Sequence, residues 1–463
     1  MGNPKSLEAL MNPKSIAIIG ASGTPGKIGY QIFKNLVSCG YSGKIYPVNP
    51  GATEVLGVKA YPSIKDVPEP VDLAGIVLPN KVVPSVMEEC AQRGVKVAII
   101  YSGGFAEASG EGVELQRKVV EAAKKSGIRI LGPNVNGIIN NSIKLNIQFN
   151  DFGGVSGPAS LLTQSGALGS GIYFRAISEY GFGFNKFMSF ENRADINEID
   201  GLEYLAEDPS TEVIALYIEA VSDGKKFMEL AKRTTKHKPI VALKVGVTEA
   251  GKRASMSHTG SLAGSDEVYD SMLRQSGVIR VHEVTEMLDA VEALAYQPVP
   301  KGNNVCICTM AGGLGIMCAD ICEKLGLKLP VPSEETQQAW KKFIPAFGSA
   351  RNPVDLTGSF STDMLKGVIE VALRDKSFDS VIATGILSSW QTERQQTDAW
   401  LASNELAREM GKPLICCLMG GRERMQEGVN ALREKKIPVY PTPERAAKAL
   451  FALAKRRMLA HAG

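Results

Sequence analysis

Short apolar runs rich in β-branched residues alternate with amphipathic helical segments along the whole chain. The clearest of these runs are SIAIIG, KIYPVN, DLAGIVL, VKVAIIYS, ASLLTQ, VIALYIEA, PIVALKV, NVCICTM and PLICCLM. Runs of this kind separated by helices predict parallel strands, because each helical crossover returns the chain to the same end of the sheet. The sequence therefore predicts an α/β fold with ligand sites at the carboxyl ends of the strands.

The strands fall into three groups, and a chain of 463 residues is long enough for about three domains. The first group closes near Leu131, where polar, Asn-rich sequence follows. The second ends before YQPVPKGNN, whose proline and glycine residues are typical of a linker. We therefore expect domains at residues 1–131, 132–298 and 299–463.

Composition and charge argue against several classes of protein. The formal net charge is only +3 and the basic residues are scattered, which argues against a nucleic-acid surface. There is neither a signal peptide nor an apolar run of about 20 residues, so we expect no membrane association and a cytoplasmic location. The eight cysteines lie mostly in apolar runs without a zinc pattern. We therefore expect no metal site in this chain.

Two loops share one sequence pattern. Residues 163–169 (TQSGALG) and 309–315 (TMAGGLG) both read T-x-small-G-x-L-G, and each follows an apolar strand and opens a helix. Small residues let backbone N–H groups approach an anion, and the helix dipole favours negative charge there. The alternative is that these glycines only permit tight strand-to-helix turns. The candidate phosphate-binding residues are Ser165, Gly166, Ala167, Gly312 and Gly313.

The glycine loop after the first strand differs from a dinucleotide fingerprint. From Gly20 it reads G-x-x-G-x-x-G, whereas an NAD-binding loop reads G-x-G-x-x-G. At the end of the second strand an NAD enzyme has Asp or Glu for the ribose, and this chain has Asn49. These differences argue against an NAD oxidoreductase and favour coenzyme A, whose phosphates Lys44 could meet. A Rossmann-like domain without a ligand is the alternative.

One of the four histidines, His258, lies in the stretch ASMSHTGSLAG, which predicts a mobile loop because its small residues cannot pack a core. An imidazole nitrogen can attack a phosphoryl group near neutral pH and pass it on. Glu219, near the end of the strand VIALYIEA, is a candidate carboxylate to hold the other ring nitrogen. A solvated surface histidine is the alternative.

Several motifs together resemble the α subunit of ADP-forming acetate (acyl)-CoA ligases, in the succinyl-CoA synthetase superfamily. They are SMSHTGSLAGSDEVYDSMLRQSGVIRV, GPNVNG, LLTQSGALG, NRADINEIDGLEYL and NPVDLTG. The resemblance implies a CoA-binding Rossmann-like domain followed by two flavodoxin-like, doubly wound domains. It also implies that His258 is the phosphorylated nucleophile, that Glu219 orients it, and that both paired loops hold phosphate. For CoA it implies Gly20, Ser22, Gly23, Lys44 and Asn49.

The implied reaction converts acyl-CoA, ADP and phosphate into a carboxylic acid, CoA and ATP, through an acyl phosphate and a phosphohistidine. In the family an ATP-grasp module holds the nucleotide with Mg²⁺, and no unassigned segment here is long enough for one. We therefore expect a separate ATP-grasp β subunit of about 230 residues, in an α2β2 complex. The competing hypothesis is a non-catalytic CoA-binding regulator or scaffold.

The sequence departs from the family pattern at a few positions. The family more often has glycine at Glu191, a small residue and leucine at Val135 and Asn136, proline at Leu314 and arginine at Val247. These departures leave the acid open: acetate, a branched or aryl acid, or another short chain. Asn134 is a candidate for contacts near the thioester.

Overall fold

A computed structural model describes residues 7–108, 110–259, 265–358, 360–387 and 393–461. The chain divides into two compact units, Met1–His282 and Glu283–Gly463. The first unit contains two large sheets and the second contains one. The three domains expected from the sequence stay a prediction.

The amino-terminal sheet of the first unit is five-stranded and fully parallel. Its strands are β1 (Ser15–Ile19), β2 (Lys44–Val48), β5 (Leu73–Ile76), β6 (Val97–Ile100) and β7 (Arg129–Leu131), and β3 (Glu54–Val55) and β4 (Val58–Lys59) form a separate hairpin. The helices are α1 (Glu8–Met11), α2 (Ile28–Ser38), α3 (Val83–Gln92) and α4 (Glu111–Ser126). The strand order β2-β1-β5-β6-β7 places β1 between β2 and β5, so the end of β1 lies between the ends of these two strands.

Local sequence explains how these elements begin and end. In α4, Glu111 and Glu114 occupy the first turn, and Lys124 and Lys125 the last, which complements the helix dipole. Gly127 ends the helix in the left-handed conformation, with φ +77°. Strands β1, β5 and β6 are buried along their whole length, as parallel strands covered on both faces must be.

The second sheet of the first unit has seven strands in the order β14-β13-β12-β10-β11-β8-β9. They are β8 (Ile138–Asn140), β9 (Leu145–Asn146), β10 (Ala159–Thr163), β11 (Lys186–Ser189), β12 (Val213–Ile218), β13 (Ile240–Lys244) and β14 (Ile279–Val281). Only β8 and β9 run antiparallel to their neighbours. The helices are α5 (Gly166–Arg175), which continues as a π-helix over Ala176–Tyr180, α6 (Glu198–Glu207), α7 (Gly224–Thr235), α8 (Glu249–Thr259) and α9 (Asp266–Gln275).

The segment after β11 joins the two sheets of the first unit. The Asp195 carboxylate accepts from Arg129 Nε at 2.8 Å and from the backbone of Ile130 at 2.9 Å. The backbone of Ile196 donates to that of Ile130 at 3.0 Å. These bonds explain the motif NRADINEID, because it holds the carboxyl end of β7 against the second sheet.

The second unit is one six-stranded sheet with helices, in the order β16-β17-β15-β18-β19-β20. The strands are β15 (Val305–Thr309), β16 (Ser349–Ala350), β17 (Val354–Asp355), β18 (Ser380–Ile386), β19 (Leu414–Met419) and β20 (Val439–Tyr440). The helices are α10 (Val284–Tyr296), α11 (Gly312–Lys324), α12 (Glu334–Trp340), α13 (Thr362–Arg374), α14 (Glu393–Met410), α15 (Arg422–Glu434) and α16 (Pro443–His461). Arg445 pairs with the buried Asp289 at 2.6 Å and so ties α16 to α10.

The predicted α/β class with mostly parallel sheets is confirmed; the antiparallel pairs of the three large sheets are β11–β8, β8–β9 and β16–β17. Among the described residues, no helix is long and apolar enough to cross a membrane. In the same part of the chain, no group of three or more His, Cys, Asp or Glu side chains could hold a metal ion.

Candidate coenzyme and phosphoryl-transfer sites

The loop between β1 and α2 lies at the carboxyl edge of the first sheet. Gly20 has φ +92°, and a β-carbon there would overlap the carbonyl of Val77. A β-carbon at Gly29 would likewise overlap the carbonyl of Gly20. Glycine at this position therefore lets α2 lie closer to the loop than a residue with a side chain could. Residues 23–28 are exposed. The loop therefore presents backbone N–H groups to solvent at the start of α2.

Two predicted coenzyme residues shape this loop from inside. The Asn49 amide donates to Ala21 O at 2.8 Å and accepts from the backbone N–H of Gly51 at 2.9 Å. The buried Ser22 hydroxyl accepts from the backbone of Thr24 at 3.0 Å. Asn49 thus joins the ends of β1 and β2, a role that needs an amide and not the carboxylate of an NAD enzyme.

Lys44 lies at the opposite edge from the other predicted coenzyme residues. It begins β2 and pairs with Ser15 at the start of β1, whereas Gly20 and Asn49 follow the ends of these strands. Its exposed ammonium forms an ion pair with Glu69. Sequence reasoning missed Lys27, which is exposed at the N-cap of α2, on the same edge of the sheet as Gly20 and Asn49. Its position inside the glycine loop was the available signal.

The loop before α5 has a turn closed by threonine. The buried Thr163 hydroxyl accepts from the backbone N–H of Ser165 at 3.1 Å and donates to its carbonyl at 2.8 Å. Ser165 is the extended N-cap residue, and its side chain caps no N–H group of the described helix. In the first turn, the Gly166 backbone hydrogen-bonds the Glu191 carboxyl, and the Ser165 side chain leaves the following N–H groups for another acceptor.

The loop before α11 in the second unit repeats this geometry. Thr309 accepts from the backbone of Ala311 at 3.1 Å and donates to its carbonyl at 2.8 Å. Ala311 is an extended N-cap residue with φ −147° and ψ 112°, close to the −133° and 112° of Ser165. Gly312 and Gly313 are exposed at the start of α11. The shared sequence pattern therefore corresponds to one shared structure.

Gln164 connects the loop before α5 to the end of β12. Its side-chain oxygen accepts from the backbone N–H groups of Glu219, at 2.8 Å, and Ala220, at 3.0 Å. Its nitrogen donates to Ala220 O at 2.7 Å and to Glu198 at 3.1 Å. Sequence reasoning treated Gln164 as a variable position in the pattern. The sequence gives only a weak signal for this role, because a buried glutamine is recognised as functional only when its hydrogen-bond partners are known.

Glu219 directly follows β12 and is only 5% exposed. On the neighbouring strand, Lys244 pairs in register with Ile218, so this lysine lies close to Glu219 in the sheet. Burial lowers the pKa of the Lys244 ammonium, whose Nζ lies 4.4 Å from the centre of the Tyr269 ring. Lys244 was not predicted, although a lysine ending a buried apolar strand is a usable signal.

His258 lies in helix α8, which corrects the predicted loop for residues 254–259. The Thr248 hydroxyl accepts from the backbone of Gly251 at 3.1 Å and caps this helix. Alanine, serine and methionine then extend it, because none of them interrupts a capped helix. Residues 260–264 and the side chain of His258 lie outside the described residues. The catalytic role of His258 stays a prediction.

Asn134 lies where the carboxyl edges of the two sheets of the first unit meet. It follows β7 with φ +64°, and its backbone donates to Ser102 O at 3.0 Å. Its side chain donates to Asn192 at 3.5 Å, and Asn192 follows β11 in the second sheet. The Asn192 amide in turn donates to Glu107 at 2.5 Å. This contact brings the carboxyl edge of the first sheet next to the edge of the second sheet that carries the loop before α5.

Three family models match consecutive parts of the chain. They are a CoA binding domain at residues 14–141, a succinyl-CoA ligase like flavodoxin domain at 156–294 and a Ligase-CoA domain at 305–462. The acetate–CoA ligase [ADP-forming] I subunit alpha of Pyrococcus furiosus is 45% identical over 97% of both chains. The chain belongs to the family of ADP-forming acetate–CoA ligase α subunits. The ligase resemblance predicted from the motifs is confirmed.

Two further ligase relatives extend this comparison. An acetate–CoA ligase [ADP-forming] I from Archaeoglobus fulgidus is 41% identical over 97% of this chain but only 63% of its own length. A dinucleotide-forming acetyl-coenzyme A synthetase 1 from Ca. Korarchaeum cryptofilum, in complex with phosphate and ADP, superimposes with a TM-score of 0.92 at 36% identity. The match covers 98% of this chain and 97% of that one.

Replacing Gly20 with alanine in this ligase-family chain should lower the free energy of unfolding of the first unit by about 2–4 kcal/mol. The reason is that φ is +92° and the new β-carbon would overlap the Val77 carbonyl. Gly23→Ala is the matched control, since no atom lies within 4 Å of its β-carbon position. Denaturant unfolding measures both. Equal stability of the two variants would contradict the geometry.

Glu191→Gln should make the chain more stable at pH 8.5 than the wild type, by roughly 1–3 kcal/mol, and change little at pH 4. Burial raises the pKa of the Glu191 carboxyl to about 8. In the unfolded chain the carboxyl ionises near its ordinary pKa. The protonated carboxyl therefore contributes fully to the free energy of unfolding below that pKa, and this contribution is lost as the pH rises to about 8. Glutamine cannot ionise and keeps its contribution. Unfolding curves recorded from pH 4 to 8.5 test this, and parallel curves would contradict it.

Proposed function

We propose that the chain is the α subunit of a nucleoside-diphosphate-forming acyl-CoA synthetase. In the proposed reaction, a phosphate oxygen attacks the thioester carbonyl of acyl-CoA, the CoA thiolate leaves and an acyl phosphate forms. The His258 imidazole then takes the phosphoryl group, releasing the carboxylate. ADP finally removes that group to give ATP. The proposal rests most directly on Gln164, whose side chain holds the loop before α5 next to the backbone of Glu219.

The first sheet supplies the proposed CoA site. Gly20, Ser22, Gly23 and Asn49 shape the exposed loop before α2, where helix N–H groups and Lys27 favour an anionic ligand. Lys44 is left out of this proposal, because it lies at the other edge. Asn134, which contacts Asn192 of the second sheet, is the proposed contact near the thioester.

The loops before α5 and α11 supply the proposed anion sites. Ser165, Gly166 and Ala167 are the proposed contacts of a phosphoryl group in the first unit; because the N–H of Ser165 donates to Thr163, Ser165 contributes its hydroxyl instead. Gly312 and Gly313 offer backbone N–H groups in the second unit. Such N–H groups stabilise the charge that develops on the transferred oxygens, which is most of what a protein contributes to phosphoryl transfer. Glu219 orients the His258 imidazole by accepting a hydrogen bond from the N–H of its second ring nitrogen.

We propose further that a separate ATP-grasp subunit of about 230 residues binds ADP or ATP with Mg²⁺, in an α2β2 complex. Two comparisons support a partner. The Pyrococcus relative is named as an alpha subunit and matches end to end, whereas the Archaeoglobus relative has about a third of its length beyond the match. The Korarchaeum structure contains both phosphate and ADP.

The partner can be tested by reconstitution. The chain incubated alone with acetyl-CoA, phosphate, ADP and Mg²⁺ should become phosphorylated but should release no ATP. Adding an ATP-grasp subunit encoded beside it should start ATP release in proportion to the subunit added. ATP formation by this chain alone would contradict the division of labour, and absence of both phosphorylation and ATP would contradict the proposed function.

A further inference from the structure

Two polar side chains converge on Gly166 at the start of α5. A β-carbon at Gly166 would overlap both Glu191 Oε1 and the amide of Asn136. The Asn136 side chain is held there by a bond of 3.1 Å from its nitrogen to Ser170 Oγ, one turn further along α5. Both side chains therefore lie directly against Gly166, the first residue of α5 and a member of the proposed phosphate loop.

The Glu191 carboxyl has hydrogen bonds from the Ser189 side chain and from the backbone of Asn136 and Gly166, but only one of its two oxygens is satisfied. Its Oε2 atom is buried and has no hydrogen-bond partner among the described residues. Burial also raises the pKa of this carboxyl to about 8, so that it is mostly protonated at neutral pH and can both donate and accept a hydrogen bond. An unpaired buried polar group is unfavourable unless a ligand completes its bonding.

The backbone conformation of Glu191 is also unusual for a glutamate. Its φ of +21° lies in the left-handed region, which glycine adopts more readily than glutamate. Glycine and leucine are also the residues that the resembling family more often has at positions 191 and 136. In this chain both positions are polar, and the structure brings them together at one glycine. The two departures therefore form a single feature.

On the proposed function, this feature lies beside the acyl group. In an acyl phosphate the acyl carbon is bonded to a phosphate oxygen, so an acyl chain on a phosphate at Gly166 starts within one bond of that phosphate. A site built to hydrogen-bond a substrate hydroxyl strongly rejects analogues without it, because its own polar groups are then left unpaired. A glutamate in place of a glycine also reduces the room for a wide acyl chain.

We propose that Glu191, together with Asn136, is a specificity-determining residue of the acyl site and selects short acyl chains that carry a hydroxyl group. The inference rests on the proposed function and adds its substrate class. The hydroxyl completes the bonding of Glu191 Oε2, and apolar and aryl chains are disfavoured.

The test compares thioesters that differ by one hydroxyl. The full-length chain is incubated with labelled phosphate and either butyryl-CoA, 3-hydroxybutyryl-CoA, 4-hydroxybutyryl-CoA or phenylacetyl-CoA, and the initial rate of protein labelling is measured against thioester concentration. The wild type should prefer one hydroxybutyryl thioester over butyryl-CoA by at least about tenfold in kcat/KM. Glu191→Gly should lose this preference and gain activity with phenylacetyl-CoA. Glu191→Gln, which can still hydrogen-bond, should retain most of the preference.

Asn136→Leu provides a second variant, and it should lower the preference in the same direction. Glu212→Gln is the control, since Glu212 is exposed next to the amino end of β12. Equal use of butyryl-CoA and both hydroxybutyryl thioesters by the wild type, or an unchanged preference in Glu191→Gly, would overturn the inference. If no thioester labels the protein, the proposed function fails. Calorimetric affinities of the same thioesters then still decide the inference, and equal affinities overturn it.

Discussion

His258→Asn should abolish labelling of the chain by acyl-CoA and labelled phosphate, with a loss of at least about a thousandfold. Asparagine has no nitrogen that can attack a phosphoryl group, whereas the imidazole has one with a lone pair near neutral pH. The wild-type label should be labile in acid and stable in base, as expected for phosphohistidine. Label of this kind that persists in the variant would refute the assignment of His258.

His237→Asn is the matched control for this experiment. His237 is exposed, and its backbone N–H donates to Thr234 O at 3.0 Å, so the substitution removes an imidazole without disturbing a packed site. Labelling should be unchanged. CoA affinity should be equal in both variants, because the proposed coenzyme loop belongs to the first sheet and His258 to a helix that follows β13. A weaker CoA affinity in His258→Asn alone would indicate a structural defect.

Glu219→Gln should lower the initial rate of labelling by roughly a hundredfold while leaving the KM for acyl-CoA within about twofold. The side chain is 5% exposed at the end of β12, and its backbone is held by Gln164. Glutamine keeps the size of the side chain but can neither carry the charge nor accept in the same way from an imidazole N–H. Rapid quenching of the labelling reaction measures the rate.

Two further variants separate orientation from folding at this position. Glu219→Asp keeps the charge on a shorter side chain and should recover part of the lost rate. Gln164→Glu keeps the Glu219 carboxylate but removes the amide that donates to Ala220 O and to Glu198, and it should also slow labelling. A wild-type rate in Glu219→Gln would contradict the orienting role.

The sequence predicted the fold class because that class depends on local, repeated signals. Parallel strands buried on both faces need unbroken apolar runs, and their crossovers need helices, so the pattern is visible residue by residue. The paired loops were predictable for the same reason. Thr163 and Thr309 each bond to a residue two positions away, and a geometry of such short range is repeated wherever its sequence is repeated.

It was harder to predict at which end of a strand a given residue lies. Lys44 and Asn49 are five residues apart and were assigned to one coenzyme site, yet β2 separates them across the whole height of the sheet. Each residue of a strand adds about 3.3 Å, so only residues beyond the carboxyl end reach the ligand edge. Lys27 meets that condition and Lys44 does not.

By itself, then, the sequence determined the α/β class, the glycine loop without an NAD carboxylate, the repeated threonine-closed loop and the ligase family. The tertiary structure alone decided which distant residues meet. It joined Gln164 to Glu219, Asn134 to Asn192, and Glu191 to Asn136 at Gly166. The physical reason is that local periodicity selects strands and helices, whereas contacts between residues tens of positions apart depend on strand order and register, which no short window of sequence contains.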